Sequence, residues 1–149
     1  MKLIIMRHGQ ASWSAASDRE RSLTEQGVRE VTDTLSSLMC HKVDRVIASP
    51  YLRAQQTGSI AAEEFRLELE TLDELEPDGN PVKVLESLPD SGVVLLASHM
   101  PMVGYLTGLL CDGTPKAGPT FQTGMALVLD MDILAPGMGR VIERITPSF

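Results

Sequence analysis

Cysteine is scarce: Cys40 and Cys111 are the only two. They form no CxxC pair and have no metal-ligand spacing to histidine, which excludes a disulfide scaffold and a zinc ribbon. Both are expected to be reduced thiols near helix ends. Positive charge is also in short supply. Thirteen Lys and Arg face 20 Asp and Glu, for a net charge of −7. No basic run occurs, so the electrostatic footprint of a nucleic-acid binder is missing. Long hydrophobic runs are absent too. No segment approaches the length that spans a bilayer, and the N-terminal run at 3–6 is far too short for the core of a secretory signal. A cytoplasmic protein with no membrane partner is expected. There are only three histidines, none at the short spacings of a metal site. No metal or other cofactor is therefore expected. Repeats and low-complexity segments are lacking as well.

What is present suits one globular domain over 1–149, with 43% hydrophobic and 22% charged residues. Residues 3–6 read as a buried strand. Val28, Val31, Leu35 and Leu38 recur at three- and four-residue steps, predicting an amphipathic helix from 24 to about 40 with Thr24 as its cap. Residues 43–48 form a second strand stopped by Ser49-Pro50, and 52–64 a second helix. A partly exposed strand is expected at 66–72, a loop at 74–81 and a short helix at 82–88. Residues 93–97 make the most apolar run, read as a central strand buried on both faces. A helix at 101–110 follows, with Pro101 in its first turn. Two last strands, 126–131 and 140–145, are joined through Pro136-Gly137 and can pair antiparallel. Strands alternating with helices predict an α/β fold: a three-layer αβα sandwich around a largely parallel sheet.

Three of these strands end in polar residues where a helix or loop begins: Arg7-His8-Gly9, Ser49-Pro50-Tyr51-Leu52-Arg53 and Ser98-His99-Met100-Pro101. Ligands of open α/β sheets bind outside the carboxyl ends of the strands. Parallel strands put those ends on one edge, so two histidines and two arginines should converge. Arginine forks match phosphate oxygens. Helices starting near Arg53 and Met100 would add free N–H groups and a positive dipole end. Neutral imidazole is a competent nucleophile toward phosphorus, and a second, charged imidazole would neutralise the transferring oxygens.

These stretches resemble the histidine phosphatase superfamily, the phosphoglycerate mutase-like group, and within it the small SixA-type phosphohistidine phosphatases. Met6-Arg7-His8-Gly9 is similar to the signature at the end of the first strand. Ser49 to Ala54 with Gln56-Thr57, and Ser98 to Val103, are similar to the second and third motifs. Ser22 to Gly27 is similar to the stretch that opens the first helix, and Leu72 to Leu75 to the place of an acid in larger members. The resemblance covers essentially the whole chain. It implies His8 as the phosphorylated nucleophile, Arg7 and Arg53 on the phosphoryl oxygens, and His99 as their charged partner. Glu74 would stand at the place of the proton donor, with Glu76 as its understudy. The long insertions of the mutases are lacking, which favours a simple phosphatase with an open mouth.

The expected activity is hydrolysis of phosphohistidine on a phosphorylated histidine-containing carrier or phosphotransfer protein. A small phosphomonoester substrate is the alternative, and a non-catalytic phosphate-binding domain a third reading. Glu74 with Glu76 and Asp78 also reads as a solvated acidic face. His41 reads as a solvated side chain in a polar turn. Trp13 reads equally as a wall of the entrance or as a partly buried packing residue.

Overall fold

In the computed structural model, which describes residues 1–148, the apolar runs assemble into one six-stranded sheet. Its strands are β1 (Lys2–Arg7), β2 (Arg45–Ala48), β3 (Leu69–Thr71), β4 (Val93–Ser98), β5 (Ala126–Asp130) and β6 (Arg140–Ile145). Their order across the sheet is β3-β2-β4-β1-β5-β6. The first four run parallel, while β5 pairs antiparallel with both β1 and β6.

Four helices cover the two faces: α1 (Glu25–Leu38), α2 (Leu52–Phe65), α3 (Pro81–Ser87) and α4 (Met102–Asp112). Alternation along β1 assigns the layers. Leu3 and Ile5 join Val84 of α3 and Val103, Leu106 and Leu110 of α4 in one core. Ile4 and Met6 join Val31, Leu35 and Leu38 of α1 and Ala61 and Ala62 of α2 in the other. All four β1 side chains are fully buried, each worth about 1.5–3 kcal/mol relative to exposure. The three-layer αβα architecture and the largely parallel sheet follow. Among the described residues no helix is long and apolar enough to cross a membrane.

Several local readings need correction. Val28 is exposed, because the buried stripe of α1 runs through Gly27, Val31, Thr34, Leu35 and Leu38. The third strand is only Leu69–Thr71, since Arg66 ends α2 in a left-handed conformation (φ 58°) and cannot also begin a strand. The 74–81 loop begins with a 3-10 turn, Asp73–Leu75, that buries Leu75 completely. His41 is not a solvated side chain: its Nε2 lies 2.7 Å from Glu143 of β6. Cys40 and Cys111 are both free thiols.

Candidate active site

The parallel register aligns the strand ends. Arg7 stands beside Ser98, and Ala48 beside Ala97. The chain continues that pairing one step beyond the strands. The His8 amide donates to the Ser98 carbonyl at 2.9 Å, and the Ser49 amide to the Ala97 carbonyl at 3.0 Å. His8 and His99 therefore meet edge to face with ring centroids 5.2 Å apart. Gly9 turns the chain away under the first turn of α1. A Cβ on Gly9 would run into the Gly27 carbonyl, and one on Gly27 into the carbonyl of Gln10. Both positions require glycine so that the backbones can touch.

His8 is held as one neutral tautomer. Its Nδ1 is 2.6 Å from the Gly9 carbonyl, which can only accept, so the ring proton sits on Nδ1. The Arg53 Nε–H donates to His8 Nε2 at 3.3 Å, which marks Nε2 as the lone-pair nitrogen. Burial, with Arg53, Arg7 and Arg21 adding to it, pulls the His8 pKa down to about 4, against an opposing contribution from the Gly9 carbonyl. The nucleophilic form is thus the resting form at neutral pH.

His99 is almost completely buried, with Nε2 2.7 Å from Ser49 Oγ. Its pKa falls to about 3, through burial first and then through His8 and Arg53. The expected charged imidazole is therefore neutral in the free site, because it shares a buried space with two arginines and a second ring. Only an incoming anion of opposite charge would favour its protonation. Burial and Arg53 likewise lower the pKa of Arg7. Arg7 Nη1 donates to the Phe121 carbonyl at 2.7 Å. Its Nε, and Nδ1 of His99, have no hydrogen-bond partner among the described residues.

A cleft of about 320 Å³ opens on this cluster. Arg7, His8, Arg53, His99 and Met100 all border it, as do Gln10, Ala11, Trp13, Arg21 and Thr123. Met100 borders the cleft ahead of the helix rather than in its first turn. Helix α4 starts only at Met102, Pro101 has no N–H, and the Val103 N–H is taken by the His99 carbonyl. Glu74 and Glu76 do not border the cleft. Glu74 Oε2 accepts the Asn80 N–H at 3.0 Å and serves its own loop. Among the described residues no group of three or more His, Cys, Asp or Glu side chains could hold a metal ion.

Three participants escape the sequence patterns. Asp18, in the 3-10 turn Asp18–Glu20, accepts from Arg53 Nη1 through its carbonyl (2.7 Å) and from Nη2 through its carboxylate (3.3 Å). It also accepts from Arg21 Nη1 at 3.3 Å. Arg21 directly precedes the Ser22 to Gly27 stretch, and its position there was the one available signal. Thr123 arrives because β5 is antiparallel, so its start lies at the edge where the parallel strands end.

Residues 3–77 match the family model of the histidine phosphatase superfamily, branch 1. The chain is 41% identical over 141 residues to the phosphohistidine phosphatase SixA of Escherichia coli (strain K12), covering 89% of this chain and 86% of that protein. It is 39% identical over 126 residues to a phosphohistidine phosphatase SixA homolog of Haemophilus influenzae (strain ATCC 51907 / DSM 11121 / KW20 / Rd), covering 74% of this chain and 77% of that one. Its fold superposes on the solved structure of the protein histidine phosphatase SixA complexed with tungstate with a TM-score of 0.81 and 34% identity, over 99% of this chain and 97% of that one.

Proposed function

The chain belongs to the histidine phosphatase superfamily, branch 1, and from that premise we propose that it hydrolyses phosphohistidine on a protein through a phosphoryl intermediate on His8. The observation that carries the reading is the His8 tautomer: Nδ1–H bound to the Gly9 carbonyl and Nε2 left as lone pair beside Arg53. The same site is bordered by Arg7 and His99.

In the first step Nε2 attacks phosphorus as the N–P bond of the substrate breaks. The substrate ring, protonated on its other nitrogen, departs as neutral imidazole with the bonding electrons, and the phosphorylated His8 keeps its Nδ1–H. Proton loss from His8 is not needed beforehand, because the ring is already neutral. Arg7, Arg53 and an induced charge on His99 offset the charge spreading over the equatorial oxygens. In the second step water attacks phosphorus, His8 leaves with the electron pair as the neutral Nδ1–H ring, and both protons of the water end on the released phosphate, which passes one on to solvent. The side chains supply the positive charge, so a chelator leaves the rate nearly unchanged and vanadate competes for the cleft.

Imidazole is a weak base, its conjugate acid having a pKa of ~6.5, and leaves phosphorus easily. An alkoxide needs a general acid, and neither Glu74 nor Glu76 borders the cleft. That supports the phosphohistidine reading over a small phosphomonoester. The presence of all four core side chains supports catalysis over mere phosphate binding. The substrate on this reading is a phosphorylated histidine-containing carrier or phosphotransfer protein of the cytoplasm.

The test is chemical trapping. Enzyme mixed with a radiolabelled phosphohistidine protein and quenched in alkali retains label on His8, and an acid quench removes it. His8→Ala folds normally and turns nothing over. Label recovered on serine or aspartate overturns the mechanism.

A further inference from the structure

Trp13 is the only tryptophan of the chain, and it is 84% exposed while bordering the phosphate cleft. Among the described residues it is the most exposed of the large apolar side chains. Solvent does not leave it loose. The Arg21 guanidinium stacks on the indole at 3.6 Å from the ring centroid. Arg21 is itself fixed by three bonds: Nε to the Ser12 carbonyl at 2.9 Å, Nη2 to the Ala11 carbonyl at 3.3 Å, and Nη1 to Asp18. Asp18 in turn binds Arg53. A rigid aromatic face is thus built into the framework that holds the phosphate-binding arginine, yet it packs little surface within its own molecule.

Resting on the phosphohistidine reading, we propose that Trp13 is the docking surface for the protein that carries the phosphohistidine, and that it selects phosphoproteins over small phosphorylated molecules. Continuity with the cleft decides the occupant. A phosphoryl group seated between His8, Arg53 and His99 leaves the rest of its carrier outside the mouth, where Trp13 stands. A small phosphorylated ring fills the cleft without needing that outer face. A preorganised tryptophan loses little conformational freedom when covered, and tryptophan backed by arginine is the composition of interface anchors. The physical effect is remote binding energy delivered by the protein part of the substrate.

The single tryptophan makes a spectroscopic test direct. The substrate probe is a tryptophan-free histidine-containing carrier protein, phosphorylated with phosphoramidate; the small probe is phosphoimidazole. Added to His8→Ala enzyme, the phosphorylated carrier should shift the Trp13 emission to the blue and quench it, whereas inorganic phosphate should not shift it. In an enzyme with His8 intact, Trp13→Ala should lower the ratio of kcat/KM for the carrier over kcat/KM for phosphoimidazole by about tenfold or more. Trp13→Phe should restore most of that ratio. An unmoved emission maximum at saturating carrier, or an unchanged ratio in Trp13→Ala, overturns the docking role. If wild-type enzyme releases no phosphate from the carrier at all, the underlying phosphohistidine reading fails instead, and the two failures are distinct.

Discussion

Arg53 donates its Nε–H to His8 Nε2 across 3.3 Å while both of its terminal nitrogens are held by Asp18. The guanidinium therefore presents one defined edge to the nucleophile, and its remaining N–H groups are aligned rather than free to rotate. On the proposed mechanism this edge turns to a phosphoryl oxygen once phosphorus approaches Nε2.

Arg53→Ala should be more damaging than loss of one surface charge. Removing a preorganised donor from the transferring oxygens costs about 2 to 4 kcal/mol in transition-state stabilisation. Arg53→Lys should recover little, because an ammonium has no Nε–H edge and cannot bridge Asp18 and the phosphoryl group together. Steady-state kinetics on a phosphohistidine protein decide it: rates near wild type in either variant remove Arg53 from the site.

Stability should fall as the pH drops below about 6.5. The two imidazoles take up protons near 6.5 when unfolded but only near 4 (His8) and 3 (His99) in the native protein. The unfolded chain binds more protons in that window, so the native state loses ground with a slope on the order of 1.4 kcal/mol per pH unit for each group. The loss begins below the unfolded value, and the His8 share ends near 4. Urea denaturation at pH 7 and pH 5 should show it, and His8→Gln should shrink the difference. A midpoint that is the same at both pH values in wild type contradicts the neutral assignment.

Ser49→Ala should cost activity although Ser49 does not border the cleft. Its hydroxyl lies 2.7 Å from His99 Nε2 and also accepts the Tyr51 N–H at 3.3 Å. Without it a buried ring nitrogen loses its partner, a penalty of about 1 to 3 kcal/mol, and the ring loses its orientation toward the phosphoryl group. A tenfold fall in kcat is expected, with restoration by Ser49→Thr. Unchanged kcat in Ser49→Ala would show that His99 is oriented by packing alone.

Glu74→Gln should leave phosphohistidine hydrolysis within about twofold of wild type, because imidazole departs without a strong acid. Alkyl phosphate hydrolysis should be equally insensitive, since the Glu74 carboxylate is engaged by the Asn80 N–H and does not border the cleft. A selective tenfold loss on the alkyl phosphate would reinstate Glu74 as proton donor.

The order of elements, the cap at Thr24 and the convergence of residues 7–8, 53 and 99 were legible in the chain itself. Strand and helix periods are local properties, and parallel strands carry their C-terminal residues to one edge whatever else the fold does. The unbroken apolar run from Leu3 to Met6 likewise determines that both faces of the sheet are covered. Val28 and His41 depart from the sequence reading because which helix face is covered and a long-range partner on β6 depend on neighbours far away in sequence. Arg66 departs for a local reason: a non-glycine residue closes α2 in a left-handed cap onto Ala62 and Glu63, which its residue type does not announce.

Only the tertiary structure decided the chemistry within the site. The neutral state of His99 comes from burying it beside His8 and Arg53, which no spacing of residues expresses. Asp18 joined the arginines, and Glu74 stayed out, because loop paths between elements are set by packing. The sequence determined which groups meet at the sheet edge. Distance and desolvation, which exist only after folding, determined their protonation and which atom of His8 faces the cleft.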